Sequence, residues 1–190
     1  MAKSNQSNLA ALVNLFHRGY AVPLIACLQA EQGAKFVTLV HRLAASRDAV
    51  ATTLKYLMAT GIVVRNAGYG HPMRPEYLLA PASETLGAVC MVVVELVDRL
   101  GIADIAFRKW PMPVTVAVGR GANRFSGVMA SLPGLTPRAL TGALRDLDRV
   151  EVVARDITED WPPHPVYELA ESGELLLPSL ERLGAAAANV

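Results

Sequence analysis

Apolar residues recur at helical spacing in the second half of the chain, and short β-branched runs follow them. The positions at this spacing are Phe125, Val128, Met129 and Leu132 before a turn, and Leu140, Leu144 and Leu147 after it. Thr136, a residue type favoured at helix N-caps, precedes the second set. Residues 150–155 and 166–169 are short strand-like runs on either side of the Pro162-Pro163 turn. The pattern predicts a helix-turn-helix followed by a β-hairpin, or wing.

The first half shows the same order of elements. We predict a helix over residues 37–43, a helix capped by Ser46 that ends near Gly61, and strands over residues 62–65 and 77–79. A longer helix closes each half, and the two closing helices start near Ala82 and near Glu171.

The two halves align when the sequence is shifted by about ninety positions. The matched pairs include Arg18 with Arg108, Pro23 with Pro113, Ser46 with Thr136, Leu54 with Leu144, Arg65 with Arg155, and Tyr77 with Tyr167. The second half is one residue shorter in the loop before Arg124-Phe125, which faces Lys35-Phe36. Because the matches keep their order across helices, turns and hairpin, they indicate a duplicated unit.

The sequence therefore predicts a mainly α fold with small β-wings, of the α+β class, built as a tandem winged helix-turn-helix repeat. We expect an N-terminal tail over residues 1–8, winged-helix unit 1 over residues 9–100 and winged-helix unit 2 over residues 101–190.

The closing helix of unit 1 is apolar on almost every side. Residues 86–97 contain a nearly unbroken apolar run that is interrupted by Glu95 and followed by Asp98. The run is well short of the roughly 20 apolar residues that span a bilayer. We therefore predict that this helix is buried between the two units or between two chains, and we expect no membrane partner.

Composition excludes several classes of protein. Charged residues make up 18% of the chain and the mean hydropathy is +0.30, which disfavours disorder. The net charge of +1 rules out a strongly basic, salt-driven nucleic-acid coat protein. Two cysteines, Cys27 and Cys90, cannot form a disulfide-rich framework or a four-thiolate zinc site, so a reducing cytoplasm is the expected location.

Short motifs follow one another in the second half in a specific order and spacing. They are Lys109-Trp110, Arg124-Phe125-Ser126, Leu132-Pro133-Gly134-Leu135-Thr136-Pro137-Arg138-Ala139-Leu140-Thr141, Leu144-Arg145-Asp146-Leu147, Pro162-Pro163-His164-Pro165-Val166-Tyr167-Glu168-Leu169 and Gly173. In these motifs the second half resembles the HxlR group of bacterial MarR-like winged-helix transcription regulators. The first half resembles a diverged copy, which keeps Phe36, Ser46, Leu54, Leu57, Gly61, Arg65, Tyr77 and Leu79.

The resemblance implies a partner and an assembly. Members of this group are usually single winged-helix subunits that dimerise through terminal helices and present two recognition helices to a double-stranded DNA operator. This chain departs from the family because both halves stand in one polypeptide, which implies a pseudo-dimer within one chain, with a homodimer of the double unit as a further option. Since the halves are unequal, they need not read equal half-sites.

In unit 2, the predicted recognition helix carries its cations opposite its apolar face. Arg138, Thr141 and Arg145 share that polar face. Arginine can bind guanine bidentately or hold a phosphate, and Thr136 with the helix N-terminus can contact a phosphate through backbone N–H groups. The alternative is a solvated face on which the arginines pair with neighbours along the helix.

The corresponding helix of unit 1 is less basic. Asp48 stands in the place of Arg138, which leaves Ser46, Arg47, Thr52 and Lys55 to meet a nucleic acid. Asp48 marks either a loss of DNA contact or a carboxylate that complements the helix dipole in the first turn.

In the wings the order of charge is reversed, because the wing of unit 1 is the more basic one. Residues 65–74 contain Arg65 and Arg74 and no acid, so they can lie along phosphates or enter a minor groove. Residues 155–161 contain one Arg and three acids, so this wing would be repelled by DNA. We interpret it as a protein-contact element, with Trp161 either as an anchor for a partner or packed on its own unit.

The net charge of each half is compatible with a second function besides DNA binding. Residues 11–100 have a net charge of +2 and residues 101–190 a net charge of −2, so neither unit is strongly basic. The sequence predicts a DNA-binding transcriptional regulator, and the alternative is a non-catalytic tandem winged-helix interaction module that has lost DNA binding.

Neither an enzyme nor a cofactor is expected. The four histidines lie on unlike elements, no nucleotide, hydrolase or metalloprotease motif occurs, and we predict no metal site. Cys27 and Cys90 lie in apolar runs and are expected to be inert. A group of large side chains either lines a cavity for a small-molecule effector or, as is more common, fills the core: Met58, Met91, Met112, Met129, Phe16, Phe36 and Tyr20.

Overall fold

The structure is a computed structural model that describes residues 2–66 and 76–190. The first half contains α1 (Ala2–Leu15), α2 (Ala21–Glu31), β1 (Ala34–Lys35), α3 (Phe36–Arg42), α4 (Arg47–Ala59), β2 (Val63–Asn66), β3 (Glu76–Leu79), a 3-10 turn (Pro81–Ser83) and α5 (Glu84–Leu100). The second half contains α6 (Ala103–Ala106), α7 (Pro111–Gly119), α8 (Phe125–Ser131), α9 (Pro137–Arg149), β4 (Val153–Ile157), β5 (Pro165–Leu169) and α10 (Glu171–Ala187). Predominantly helical structure with small antiparallel sheets fits the predicted α+β winged helix-turn-helix class.

Each half contains a short antiparallel hairpin directly after a helix-turn-helix. In the first half β2 pairs with β3, with Val63 opposite Leu79 and Arg65 opposite Tyr77, and β1 pairs with the other side of β3. In the second half β4 pairs with β5, with Val153 opposite Leu169 and Arg155 opposite Tyr167. There the amide of Tyr167 also donates to the Asn123 carbonyl at 2.8 Å. The two-residue strand β1 is an element that the sequence pattern did not predict.

One continuous core joins the two halves. Helix α5 packs on α2 and on α10, and α10 packs in turn on α1 and α7. The largest fully buried side chains come from both halves and include Leu12, Phe16, Leu24, Leu54, Leu86, Ile105, Met112 and Leu132. In the described part of the chain, no helix combines the length and the hydropathy that crossing a membrane requires.

Helix α5 is buried on one side only. Leu86, Cys90 and Val93 are fully buried, whereas Met91 is 40% exposed and Val92 is 52% exposed. The sequence predicts burial between the two units or between two chains; within one chain α2 and α10 cover one side of this helix, and burial of its other side by a second chain stays a prediction. Its apolar run is wider than the surface that α2 and α10 cover, so the opposite side stays open.

The N-terminus is helical from Ala2, so the residues predicted as a tail form the first part of α1. Helix α1 lies on α10, where the backbone of Asn8 approaches Gly184 so closely that a Cβ there would stand 2.8 Å from the Asn8 carbonyl oxygen. At its other end, the Tyr56 hydroxyl of α4 donates to the Asn14 carbonyl at 2.7 Å. These contacts fix α1 between α4 of the first half and α10 of the second.

The start of α10 depends on a second close backbone approach. Gly173 faces the carbonyl group of Val152, and a Cβ at this position would overlap that oxygen. Gly173 is buried and lies in the first turn of the helix, so neither backbone segment can move away without opening the core.

We predict that Gly173→Ala lowers the free energy of unfolding by about 1–3 kcal/mol because of this overlap. Gly142→Ala is the matched control, since Gly142 is also helical but a Cβ at this position would meet no other atom within 4 Å. The control should raise the free energy of unfolding by roughly 0.5–1 kcal/mol, because alanine has the higher helix propensity. Urea unfolding measures both, and equal effects of the two substitutions would contradict the packing described.

Candidate nucleic-acid interface

Helix α9 is fixed at its start by its own sequence. The side chain of Thr136 accepts a hydrogen bond from the Ala139 amide at 3.2 Å, and Pro137 occupies the first turn. Thr136 thus satisfies an amide that would otherwise lack a partner, and proline is pre-organised for a first turn because its φ is fixed. One face of the helix is buried through Leu140, Ala143, Leu144 and Leu147.

The opposite face of α9 carries free cations. Arg138, Thr141 and Arg145 are all exposed. Neither Arg138 nor Arg145 forms a hydrogen bond or an ion pair with any residue that the structure describes. The alternative in which these arginines pair along the helix therefore finds no support. The Thr141 hydroxyl donates to the Pro137 carbonyl at 2.9 Å, so it is less available than the arginines.

Arg149 belongs to the same surface, although the sequence reasoning did not include it. It is exposed and lies at the C-terminal end of the face of α9 that also carries Arg138, Gly142 and Arg145. The spacing of four residues from Arg145 was a signal in the sequence, since positions separated by one turn share a face. Three arginines thus line one side of this helix.

An ion pair holds α9 from the side. The Arg108 guanidinium donates to the Asp146 carboxylate at 2.8 Å, across 38 residues of sequence. Asp146 lies next to Arg145 in the helix, so the pair connects the α6–α7 segment to the recognition face.

Helix α4 has the same type of cap but a different surface. The Ser46 hydroxyl accepts from the Ala49 amide at 3.2 Å. Arg47, Asp48, Thr52 and Lys55 are exposed. The Arg47 guanidinium lies over the Phe36 ring at 5.3 Å, a cation–π contact that directs it toward α3.

Asp48 lies in the first turn of α4, where a carboxylate complements the helix dipole. This position supports the interpretation of Asp48 as a carboxylate that complements the dipole, and a loss of DNA contact stays a prediction. With Arg47 held on Phe36, the outer surface of α4 offers mainly Lys55 and Thr52 to a partner.

The remaining candidate residues belong to the two wings. Arg65 lies on β2 and is exposed, whereas Arg74 and most of the basic loop fall outside the described residues. In the second wing, Thr158 and His164 close the tip by hydrogen bonds, including one from the Thr158 amide to the His164 carbonyl at 3.0 Å. Trp161 is 92% exposed, so it does not pack on its own unit.

The structure gives the thiols no reactive setting. Cys90 is buried in α5, and this burial raises the pKa of its thiol well above the usual range. Burial also raises the pKa of Cys27, with a smaller contribution from the Glu31 carboxylate. Among the described residues, no three His, Cys, Asp or Glu side chains are grouped so that they could hold a metal ion.

Most of the large side chains proposed for an effector cavity fill the core instead. Phe16 and Met112 are fully buried, and Phe36, Met58 and Met129 pack against the same core. Met91 and Tyr20 differ, because both line a cavity of about 870 Å³ beside α5.

Comparison with known proteins places the chain in a family. The model of the HxlR-like helix-turn-helix family matches residues 105–189, which contain α7 to α10. An uncharacterized HTH-type transcriptional regulator of Bacillus subtilis (strain 168), YvaP, is 34% identical over 77 residues, which are 40% of this chain and 71% of YvaP. The chain belongs to the HxlR-like helix-turn-helix family.

Other relatives carry names of the same kind. An uncharacterized HTH-type transcriptional regulator of Methanothermobacter thermautotrophicus is 33% identical over 75 residues, 40% of this chain and 57% of the relative. The regulator sll1512 of Synechocystis is 30% identical over 102 residues, 53% of this chain and 68% of the relative. No solved structure matches the chain. The HxlR-like match lies in the second half, so residues 1–104 stand outside it.

We predict that Thr136→Ala lowers the free energy of unfolding by about 0.5–2 kcal/mol, because the Ala139 amide loses its partner. Thr136→Ser should restore most of the loss, since serine caps helices equally well. Thr141→Ala is the control within the same helix, because among the described residues its hydroxyl bonds only to the Pro137 carbonyl and caps no amide. Chemical denaturation compares the three, and an equal loss for Thr136→Ala and Thr141→Ala would contradict the assigned cap.

Proposed function

We propose that this HxlR-like protein is a DNA-binding transcriptional regulator that reads double-stranded operator DNA mainly through α9. The observation that carries the proposal is the free outer face of α9, with Arg138 and Arg145 exposed and without ion-pair partners in the described residues. An arginine that reads guanine must have its guanidinium free, and a helix of this size fits a major groove. The names of the relatives as HTH-type transcriptional regulators support the same function.

We further propose that the chain is a pseudo-dimer of two winged-helix units, residues 9–100 and 101–190. Helices α4 and α9 have equal lengths and begin ninety positions apart, and both are capped by a hydroxyl that accepts from the amide three residues later. The strand registers support the same relation. Val63 opposite Leu79 in the first hairpin corresponds to Val153 opposite Leu169 in the second.

Side-chain packing at equivalent positions supports the duplication independently. In unit 1, a Cβ on Gly87 of α5 would meet the side chains of Gln29 in α2 and Leu79 in β3. In unit 2, a Cβ on Gly119 of α7 would meet Leu177 of α10 and Leu169 of β5. Ninety positions separate Gly87 from Leu177, Gln29 from Gly119, and Leu79 from Leu169. In both units two helices and a strand meet at this junction, and one helix contributes glycine and the other a large side chain. The glycine lies in the closing helix of unit 1 (Gly87) but in the earlier helix of unit 2 (Gly119).

The two units have different roles in this proposal. Unit 2 reads bases through Arg138 and Arg145, with Arg149 and the N-terminal end of α9 near phosphates. Unit 1 grips phosphate through Ser46 at the N-cap of α4, through Thr52 and Lys55 of α4, and through Arg65 of its wing, where the sequence also places Arg74. Arg47 contributes less, because it stacks on Phe36.

A non-catalytic interaction module is the second candidate, and one observation favours it. The tip of the second wing exposes Trp161 almost completely and carries the exposed acids Asp156, Glu159 and Asp160. An exposed tryptophan beside carboxylates suits a basic protein surface better than DNA.

A DNA-binding test separates the two candidates. Duplexes selected by the wild-type chain from a random-sequence library are titrated across a salt series. Arg138→Ala should cost about 1–3 kcal/mol and relax the preference at one base position, whereas Arg65→Ala should weaken binding to all sequences and lower the salt slope by about one.

The matched control is Arg182→Ala, which removes an exposed arginine from α10 and should leave base preference unchanged. If Arg138→Ala and Arg145→Ala keep both affinity and preference while circular dichroism shows a folded chain, α9 does not read DNA. The interaction module then becomes the better explanation.

A double-mutant cycle tests the duplication. Gly87→Leu alone should destabilise the fold by about 1–3 kcal/mol, because the new side chain overlaps those of Gln29 and Leu79. Gln29→Gly alone should cost about 1 kcal/mol of helix propensity. Together they reproduce the arrangement of unit 2, so the double variant should be more stable than the sum by about 1 kcal/mol or more.

Ala30→Gly replaces Gln29→Gly in the control cycle, since Ala30 lies in the same helix and is exposed. The control pair should be additive. Additivity in both cycles would refute the proposed equivalence of the two junctions.

A further inference from the structure

A cavity of about 870 Å³ opens between the two halves, and the proposed DNA contacts do not use it. It lies among α2, the end of α3, α5 and the segment that contains α6. Its volume falls within the roughly 300–1,000 Å³ that is usual for small-molecule sites. The apolar and aromatic part of its wall includes Tyr20, Pro23, Ala26, Met91, Val94 and Phe107.

The charges around this cavity are not balanced. Both lining arginines are already engaged, since Arg42 binds Glu31 at 2.7 Å and Arg108 binds Asp146 at 2.8 Å. The other lining carboxylates are exposed and have no ion-pair partner among the described residues: Glu95, Asp98 and Asp104. The cavity therefore combines an apolar wall with a negative rim.

The thiol of Cys27 is neutral in this cavity, as expected beside carboxylates. It lines the cavity, and burial together with the Glu31 carboxylate raises the pKa of its thiol. The neutral thiol adds a weakly polar, polarisable surface to the wall.

We propose that this cavity binds an organic cation with an aromatic or otherwise apolar body. The wall removes the body of the ligand from water, which supplies the free energy of binding. The rings of Tyr20 and Phe107 can contact a cation through their faces, and the carboxylates of Glu95, Asp98 and Asp104 attract it from the rim. An anion of the same shape meets the same wall and is repelled by the rim.

The cavity also has a physical connection to α9. Arg108 lines the cavity, and its guanidinium binds Asp146 of α9. A bound cation repels the guanidinium of Arg108 and competes with it for the nearby carboxylates. Binding of the cation would therefore disturb the Arg108–Asp146 pair, and through Asp146 it would affect the neighbouring Arg145 of α9. This regulatory step rests on the proposed DNA-binding function, whereas cation binding does not.

Tetraphenylphosphonium and tetraphenylborate form a matched pair of probes, because they share size and shape and differ in the sign of the charge. Isothermal titration of the full chain should give measurable binding of tetraphenylphosphonium and at least about threefold weaker binding of tetraphenylborate. Equal binding of the two ions, or none of the cation, overturns the proposal.

The variant Glu95→Lys/Asp98→Lys tests whether the rim is the cause. Both side chains are exposed, so the fold should tolerate the change, and the preference should reverse in favour of tetraphenylborate. Glu84→Lys on the same helix is the control, since Glu84 is exposed and does not line the cavity, and it should keep the wild-type preference. An unchanged preference in the double variant overturns the assignment of these residues.

A DNA arm distinguishes failure of the site from failure of the proposed function. Tetraphenylphosphonium should shift the affinity for a selected duplex in the wild-type chain and leave it unshifted in Arg108→Gln. A chain that binds the cation but no duplex refutes the DNA-binding function and leaves the cavity site standing. A chain that binds duplex and cation without any shift refutes the regulatory step alone.

Discussion

The packing of α5 against α10 is the contact on which the rest of the structure depends. Each of these helices closes one half, and each also covers elements of its own half, α2 for α5 and α7 for α10. Since α1 lies on α10 as well, the N-terminal helix is held by the C-terminal one. The two halves therefore share a single core, and the placement of α4 relative to α9 is set by burial of apolar surface rather than by a linker.

The helix-turn-helix and wing elements could be predicted from the sequence because their signals are local. The cap at Thr136, the leucine spacing of α9 and the two β-branched runs each act within a few residues. Helix α1 could not be predicted in this way. Its stability depends on α10 and on the small residue Gly184, which are distant in sequence. Which side of α5 is covered within the chain could not be predicted for a related reason, since an apolar run does not reveal how many neighbours will cover it.

In the candidate site, too, the features that depend on local sequence could be predicted and the contacts between distant elements could not. That Arg138 and Arg145 share a face follows from helical geometry, and Arg149 could have been added by the same rule. The pair between Arg108 and Asp146 and the stacking of Arg47 on Phe36 could not be predicted, because they join elements whose relative placement is decided by the core. These contacts determine which cations are free, so the sequence alone overestimates the basic surface of α4 relative to that of α9.

The pseudo-dimer that we propose has a consequence for how the molecule can change over generations. In a symmetric dimer, a single codon determines the same residue in both subunits, so any substitution is made twice and must suit both positions. Here one codon changes one half. Asp48 can stand on α4 while Arg138 stands on α9, and Gly87 can face Gln29 while Leu177 faces Gly119. In the proposed pseudo-dimer the covalent connection thus releases each half from the sequence of the other, while the shared core holds the two halves together.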